Sequence, residues 1–168
     1  KYDGVFGMWY GKGPGVDRTG DAFHCANFAG THKHGGVLAI AGDDHGAHSS
    51  TYPHQTEYVF QNVFMPVLNP ASVQDVLDMG LAGWAMSRYS GLWVAMKTTA
   101  ETMEQAATAV VHAERPWAVP DFPVPPHGLN IDHTLKFPAE RAELERRMID
   151  ERMPALLAWA RANRFDRV

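Results

Sequence analysis

Short apolar runs alternate with polar turns over the first hundred residues. Val5 to Tyr10 is apolar and aromatic and predicts a first strand. Val37 to Ala41 is a continuous apolar run bounded by glycines, the pattern of a strand over residues 36–41 buried on both faces of a parallel sheet. Met65, Val67 and Leu68 predict another short buried strand, and Leu92 to Met96 the next. Between them the spacing changes to three and four. Ala22, Phe23, Ala26 and Ala29 share one side of a helix over residues 20–29, capped by Asp17 or Thr19. A second helix is predicted from near Pro53 through Tyr58, Val59 and Asn62. Asn69 and Pro70 then supply an N-cap and a first-turn proline. After them Val73, Val76, Leu77, Gly80, Leu81, Trp84 and Ala85 form one apolar stripe, ended by Ser90-Gly91. This alternation predicts an α/β fold, a parallel sheet with helices on both faces.

The connecting segments carry their own signals. Gly11 to Asp17, with three glycines and Pro14, reads as a loop rather than helix or strand. His32, Lys33 and His34 form a polar turn. Ala106 to Val111 either finishes a helix or forms a further strand, and strand is preferred. Five prolines between Pro116 and Pro126 require an extended arm laid across other elements. Pro138 opens a charged helix over residues 139–163, with Leu144, Met148, Leu156 and Trp159 on one face and a kink at Pro154. The expected organisation is an α/β domain over residues 1–114, a proline-rich connector over 115–137 and a helix over 138–168 leading to a following domain. Lys1 and Tyr2 run straight into apolar sequence, as in a piece excised from a longer protein.

Composition narrows the function classes. A chain of 168 residues can bury one real core. A net charge of -4 offers no basic stripe to phosphate backbones, which argues against nucleic-acid binding. There is no apolar run near the ~18 residues of a spanning helix, and no signal segment. Cys25 is the single cysteine, so disulfide frameworks and cysteine-built metal sites are excluded, and a cytoplasmic location is expected.

Chemistry concentrates just after the central strand, in GDDHGAHSSTYPHQTE from Gly42 to Glu57. Open α/β sheets bind ligands there, at the carboxyl ends of their strands. Asp43, Asp44, His45, His48 and His54 are metal-ligand types, but six histidines scattered between His24 and His54 share no ligand frame, and no tightly held metal is expected. Ser49 and Ser50 lack the GxSxG elbow of a nucleophilic serine. GMWYGKG is one residue short of a nucleotide-binding loop, and GKGPG lacks the last glycine of the dinucleotide pattern.

Taken together, WYGKGPGVDRTGDAFHCANFAGTHKHGGVLAIAGDDHGAHSSTYPHQTE, PVLNPASVQDVLDMGLAGWAMSRYSGLWVAMK, PDFPVPPHGLN and the terminal ARANRFDR resemble the thiamine-pyrimidine-binding domain of indolepyruvate ferredoxin oxidoreductases, especially their long fused bacterial forms. The resemblance implies a thiamine-diphosphate-binding-like fold. It also implies an enzyme that decarboxylates a 2-oxo acid on thiamine diphosphate with magnesium, passes the acyl unit to coenzyme A and sends electrons through iron–sulfur clusters to ferredoxin. On that likeness Lys12, Gly13 and Gly15 lie beside the active cleft, and Asp43, Asp44, Ser49, Ser50, Gln55 and Glu57 face cofactor or substrate. Lys12 becomes a charge partner for a substrate carboxylate, and Ser50, with Ser49, a hydroxyl donor. The family's activating glutamate, its diphosphate-and-magnesium domain and its cluster domain have no counterpart in this sequence. The expectation is a fragment inactive alone, joined to other domains or subunits in a homo-oligomeric parent. The alternative from the residues themselves is a stand-alone module that binds a small acid or a partner chain.

Overall fold

The computed structural model describes residues 6–112, 115–136 and 139–164. Four strands, β1 (Phe6–Lys12), β2 (Gly36–Gly42), β3 (Val67–Leu68) and β4 (Val94–Thr98), form one sheet in the order β1-β2-β4-β3, every neighbouring pair parallel. The main helices are α1 (Gly13–Ala29), α2 (Glu57–Asn62) and α3 (Val73–Ser90). A short α4 (Ala100–Met103) follows β4, and the C-terminal helix is α5 (Arg141–Arg147) running through a π-helical turn (Met148–Arg152) into α6 (Met153–Ala162).

The strand order fixes the layers. The paths from β1 to β2 and from β2 to β3 advance in one direction, whereas β3 to β4 steps back, so crossovers of constant hand put α3 opposite α1 and α2. The two cores agree with this. Ala39, Ala41 and Ala95 meet Val16, Phe23, Phe60 and Val63 on one face, and Leu38, Val94 and Met96 meet Ala82, Met86, Met148, Leu156 and Trp159 on the other. Helices thus cover both faces, as the central apolar run requires.

Several boundaries differ from the sequence expectation. Gly11 and Lys12 belong to β1, and α1 starts at Gly13, so the expected glycine loop is a strand running straight into a helix. Pro14 is tolerated because it sits in the first turn, where its missing N–H costs nothing. Lys12, not Asp17 or Thr19, occupies the N-cap. The second helix begins at Glu57 rather than near Pro53. The third begins after Ser72, because Ser72 Oγ accepts the Asp75 N–H at 3.1 Å while the Asp75 carboxylate accepts from Ser72 Oγ at 2.9 Å, a reciprocal cap that outcompetes Asn69-Pro70.

The buried face of α3 is also rotated from the expected stripe. Leu81 is exposed, and burial follows Ala82, Gly83, Met86, Ser87 and Ser90. Gly83 lets the helix backbone close onto Leu38, Leu68 and Val94. The end at Ser90-Gly91 is as expected, with Gly91 at φ 77°. β4 starts two residues later than expected. Residues 106–111 are neither helix nor strand. Instead Gln74 grips this segment, accepting the Val110 N–H at 2.7 Å and donating to its carbonyl at 3.1 Å.

The proline-rich arm forms no helix or strand and packs against the C-terminal helix, where Trp117 meets Trp159 with the rings tilted by 42° and the Asn163 side chain pairs with both backbone groups of Ala118. Pro138 lies outside the described residues. Pro154 enters α6 in its first turn, just after the π-helical turn closed by the Met153 N–H to the Met148 carbonyl. The Arg152 side chain is buried there and donates to the carbonyls of Asn27, Phe28 and Ala29 at the end of α1 and of Leu129 and Asn130 in the arm. One buried side chain therefore ties the C-terminal helix to α1 and to the arm. Burial pushes the Arg152 guanidinium down to about 10, and its carbonyl partners still see a cation at neutral pH.

Candidate functional site at the carboxyl ends of the strands

β1, β2 and β4 end side by side, at Lys12, Gly42 and Thr98. Their ends floor a cleft of about 230 Å³ lined by Lys12, Asp43, Asp44, His48 and Ser49 on one side and by Thr98, Thr99, Met103 and Glu104 on the other. Two adjacent aspartates shape it, because successive residues leaving a strand point in opposite directions.

Asp43 turns inward. Its N–H donates to the Thr98 carbonyl at 2.8 Å, tying β2 to β4, and its carboxylate accepts both the N–H and the hydroxyl of Thr56, at 3.1 and 2.7 Å. Asp44 organises the loop. Its backbone forms an antiparallel bridge with His54, and its carboxylate accepts the N–H groups of His48 and Ser49 at 2.8 and 2.9 Å. Lys12 Nζ lies 3.2 Å from the same carboxylate and also donates to Ser49 Oγ. The Ser49 N–H, then the His48 N–H and the Lys12 ammonium, hold the Asp44 carboxyl far below the usual range, against the opposing pull of its partial burial. Ala47, at the turn made when its N–H reaches the Asp44 carbonyl, adopts φ 54°, a strained value for a residue with a Cβ.

His54 closes the other end of the loop. Its Nε2 lies 3.1 Å from Asp17 Oδ2, and its ring covers Gly13 where a Cβ would stand. That close approach accounts for glycine at the start of α1. Gly11, Gly13 and Gly15 all have ordinary backbone angles, so space rather than conformational freedom is what Gly13 supplies.

The structure brings together Lys12, Asp43, Asp44, His48 and Ser49 among the residues singled out from sequence. Ser50 does not line the cleft: its hydroxyl is shut off from solvent beside the Asp44 carboxylate, which it helps to hold low. Gly15 lies on α1 with open space around it, and Gln55 is exposed on the approach to α2. Glu57, at the start of α2, pairs with the buried Lys97 of β4. Burial works to raise the Glu57 carboxyl, but Lys97 overrides it and the group lies below its ordinary range. Thr98, Thr99, Met103 and Glu104 were missed in the sequence. They follow a strand as directly as Asp43 does, and the rule that places ligands at strand ends points to them once β4 is recognised.

Asp43, His45 and Glu57 also converge, with one ligand atom of each within 4.8 Å of the others. The scatter of histidines along the chain concealed this, because Glu57 is brought in by the turn into α2. No helix among the described residues is long and apolar enough to cross a membrane. Comparisons of the chain with protein-family models, curated proteins and solved structures give no match.

Proposed function

We propose that this chain forms one wall of the active cleft in a thiamine-diphosphate-dependent oxidoreductase that decarboxylates aryl 2-oxo acids such as indolepyruvate, with coenzyme A and ferredoxin as co-substrates. The observation that carries the reading is the Lys12 ammonium held at the mouth of the cleft by Asp44 and Ser49. An ammonium has three N–H donors, and those two partners leave one for a substrate carboxylate. Ser49 is the hydroxyl beside it. The resemblance in sequence and the all-parallel sheet support the same assignment.

The cofactor does not fit this chain by itself. Thiamine diphosphate needs a carboxylate for its aminopyrimidine ring and a magnesium-bound seat for its diphosphate. In the Lys12 cleft Asp44 is engaged by two backbone N–H groups and Lys12, and Asp43 by both donors of Thr56, while Glu57 lies outside it. The reading therefore assigns the cofactor's ligands, and the iron–sulfur clusters, to other segments or subunits of a cytoplasmic homo-oligomeric enzyme. This chain contributes substrate orientation and the exclusion of water from one side.

A second reading is a stand-alone small-acid-binding module, in which the Lys12 ammonium beside Ser49 receives the acid without other segments. Calorimetry separates the two. The first expects no micromolar affinity of the chain for thiamine diphosphate with magnesium or for indolepyruvate. In the enzyme carrying the remaining segments it expects Lys12→Ala to slow single-turnover decarboxylation about tenfold to a thousandfold. Micromolar binding of indolepyruvate by the chain alone would favour the module, and an unchanged rate in Lys12→Ala would remove the enzyme reading.

A further inference from the structure

We propose that Asp43, His45 and Glu57 bind a divalent transition cation, zinc or manganese, on the α2 side of the strand ends, with Asp43 shared between this site and the Lys12 cleft. His45 Nε2 lies 3.6 Å from Asp43 Oδ2, and the three ligand atoms fall within 4.8 Å of one another. Bonds of about 2.0–2.2 Å from zinc to nitrogen and oxygen need donors spaced somewhat closer, so the site closes by roughly 1 Å when loaded. The parts are suited to that movement. Asp43 is fully buried and fixed by Thr56 and Glu57 is held by Lys97, whereas the His45 side chain is 44% exposed and supplies most of the movement.

A second observation comes from Glu57 itself. One oxygen is taken by Lys97, and the other, Oε2, is enclosed without any donor among the described residues. A buried carboxylate oxygen left unpaired is costly, and a bound ion is one of the few things that relieves it. Asp43 retains lone pairs beyond the two used by Thr56, since a carboxylate accepts at about four positions. One imidazole with two carboxylates suits zinc or manganese better than the all-oxygen shells of calcium or magnesium. Lys97 is the opposing charge, and two carboxylates outweigh its single ammonium.

The test is calorimetric titration of the metal-stripped, untagged chain with zinc and with manganese, alongside the visible spectrum of the cobalt form. One equivalent is expected, weakened about tenfold or more in His45→Gln and in Glu57→Gln, and unchanged in His34→Gln. Lys97→Met should tighten binding, because it removes the competing cation. His45 is exposed, so His45→Gln keeps the fold and the test stands even where Glu57→Gln unfolds. Absence of binding below millimolar metal, or equal affinity in wild type and His45→Gln, overturns the proposal. So does a Lys97→Met variant that binds no more tightly than wild type.

Discussion

Gly83 of α3 lies directly over Leu38 of β2, so close that a Cβ at position 83 would meet Leu38 Cδ1 at 2.7 Å and Leu68 Cδ1 at 3.1 Å. The helix backbone rests here on leucine side chains of the sheet, and this contact sets the rotation of the helix. Gly83→Val should destabilise the chain by about 1–3 kcal/mol through overpacking. Gly80 on the same helix has open space around it. Gly80→Ala should therefore stabilise by up to about 1 kcal/mol, the usual gain in helix propensity. Urea unfolding of both variants checks the pair, and equal effects would contradict the packing described.

Asp44→Asn should loosen the 45–53 loop while leaving the sheet intact. Amide exchange at His48 and Ser49 should rise, since their N–H groups lose a charged acceptor. The pH dependence follows from the depressed carboxyl. Its contribution is fully present above the unfolded pKa of about 4 and is lost as pH falls through the lower folded value. The stability gap between wild type and Asp44→Asn should thus hold steady from pH 7 to about 5 and shrink below about pH 4. A gap that widens towards acid would reverse the assignment.

Trp84 packs against the α3-side core while remaining partly exposed, and its indole N–H reaches towards the Gly7 carbonyl at 3.4 Å. A fully buried Trp→Ala costs about 3–5 kcal/mol, so Trp84→Ala should cost roughly half of that. Leu81→Ala, on the exposed side, should stay within about 0.5 kcal/mol. Chemical denaturation of the two variants measures the rotation of the buried stripe.

Arg152→Met should be among the most damaging single changes, about 3 kcal/mol or more, because it strips a charged donor from carbonyls of α1 and of the arm together. Loss of the cooperative transition linking arm and sheet would be seen as separate unfolding steps by tryptophan fluorescence and far-UV circular dichroism.

The sequence made the layers legible because apolar runs of strand length and stripes of helix length obey simple periods. Val37 to Ala41 could only be central, and Ser90-Gly91 could only be a helix end. What it concealed were choices between local signals of similar strength. Asn69-Pro70 reads as a helix start, yet the helix begins after Ser72, whose hydroxyl has Asp75 to complete the cap. At Gly13 the small residue answers to the His54 ring forty-one positions away, and no window of neighbours contains that fact. The site was half visible for the same reason. Asp43, Asp44 and Ser49 lie on one loop, whereas Thr98, Thr99 and Met103 arrive through pairing of β4 with β2, which is a property of topology.

The bridge between Asp44 and His54 divides labour within the chain. The strands and main helices outside it build the two cores, and the nine residues inside it are tethered at a single gate. Their tip can change length or character with little effect on folding, because the entropy of closing a loop grows only slowly with its length. Selection acting on what the cleft admits therefore has a segment it can rewrite without renegotiating the scaffold.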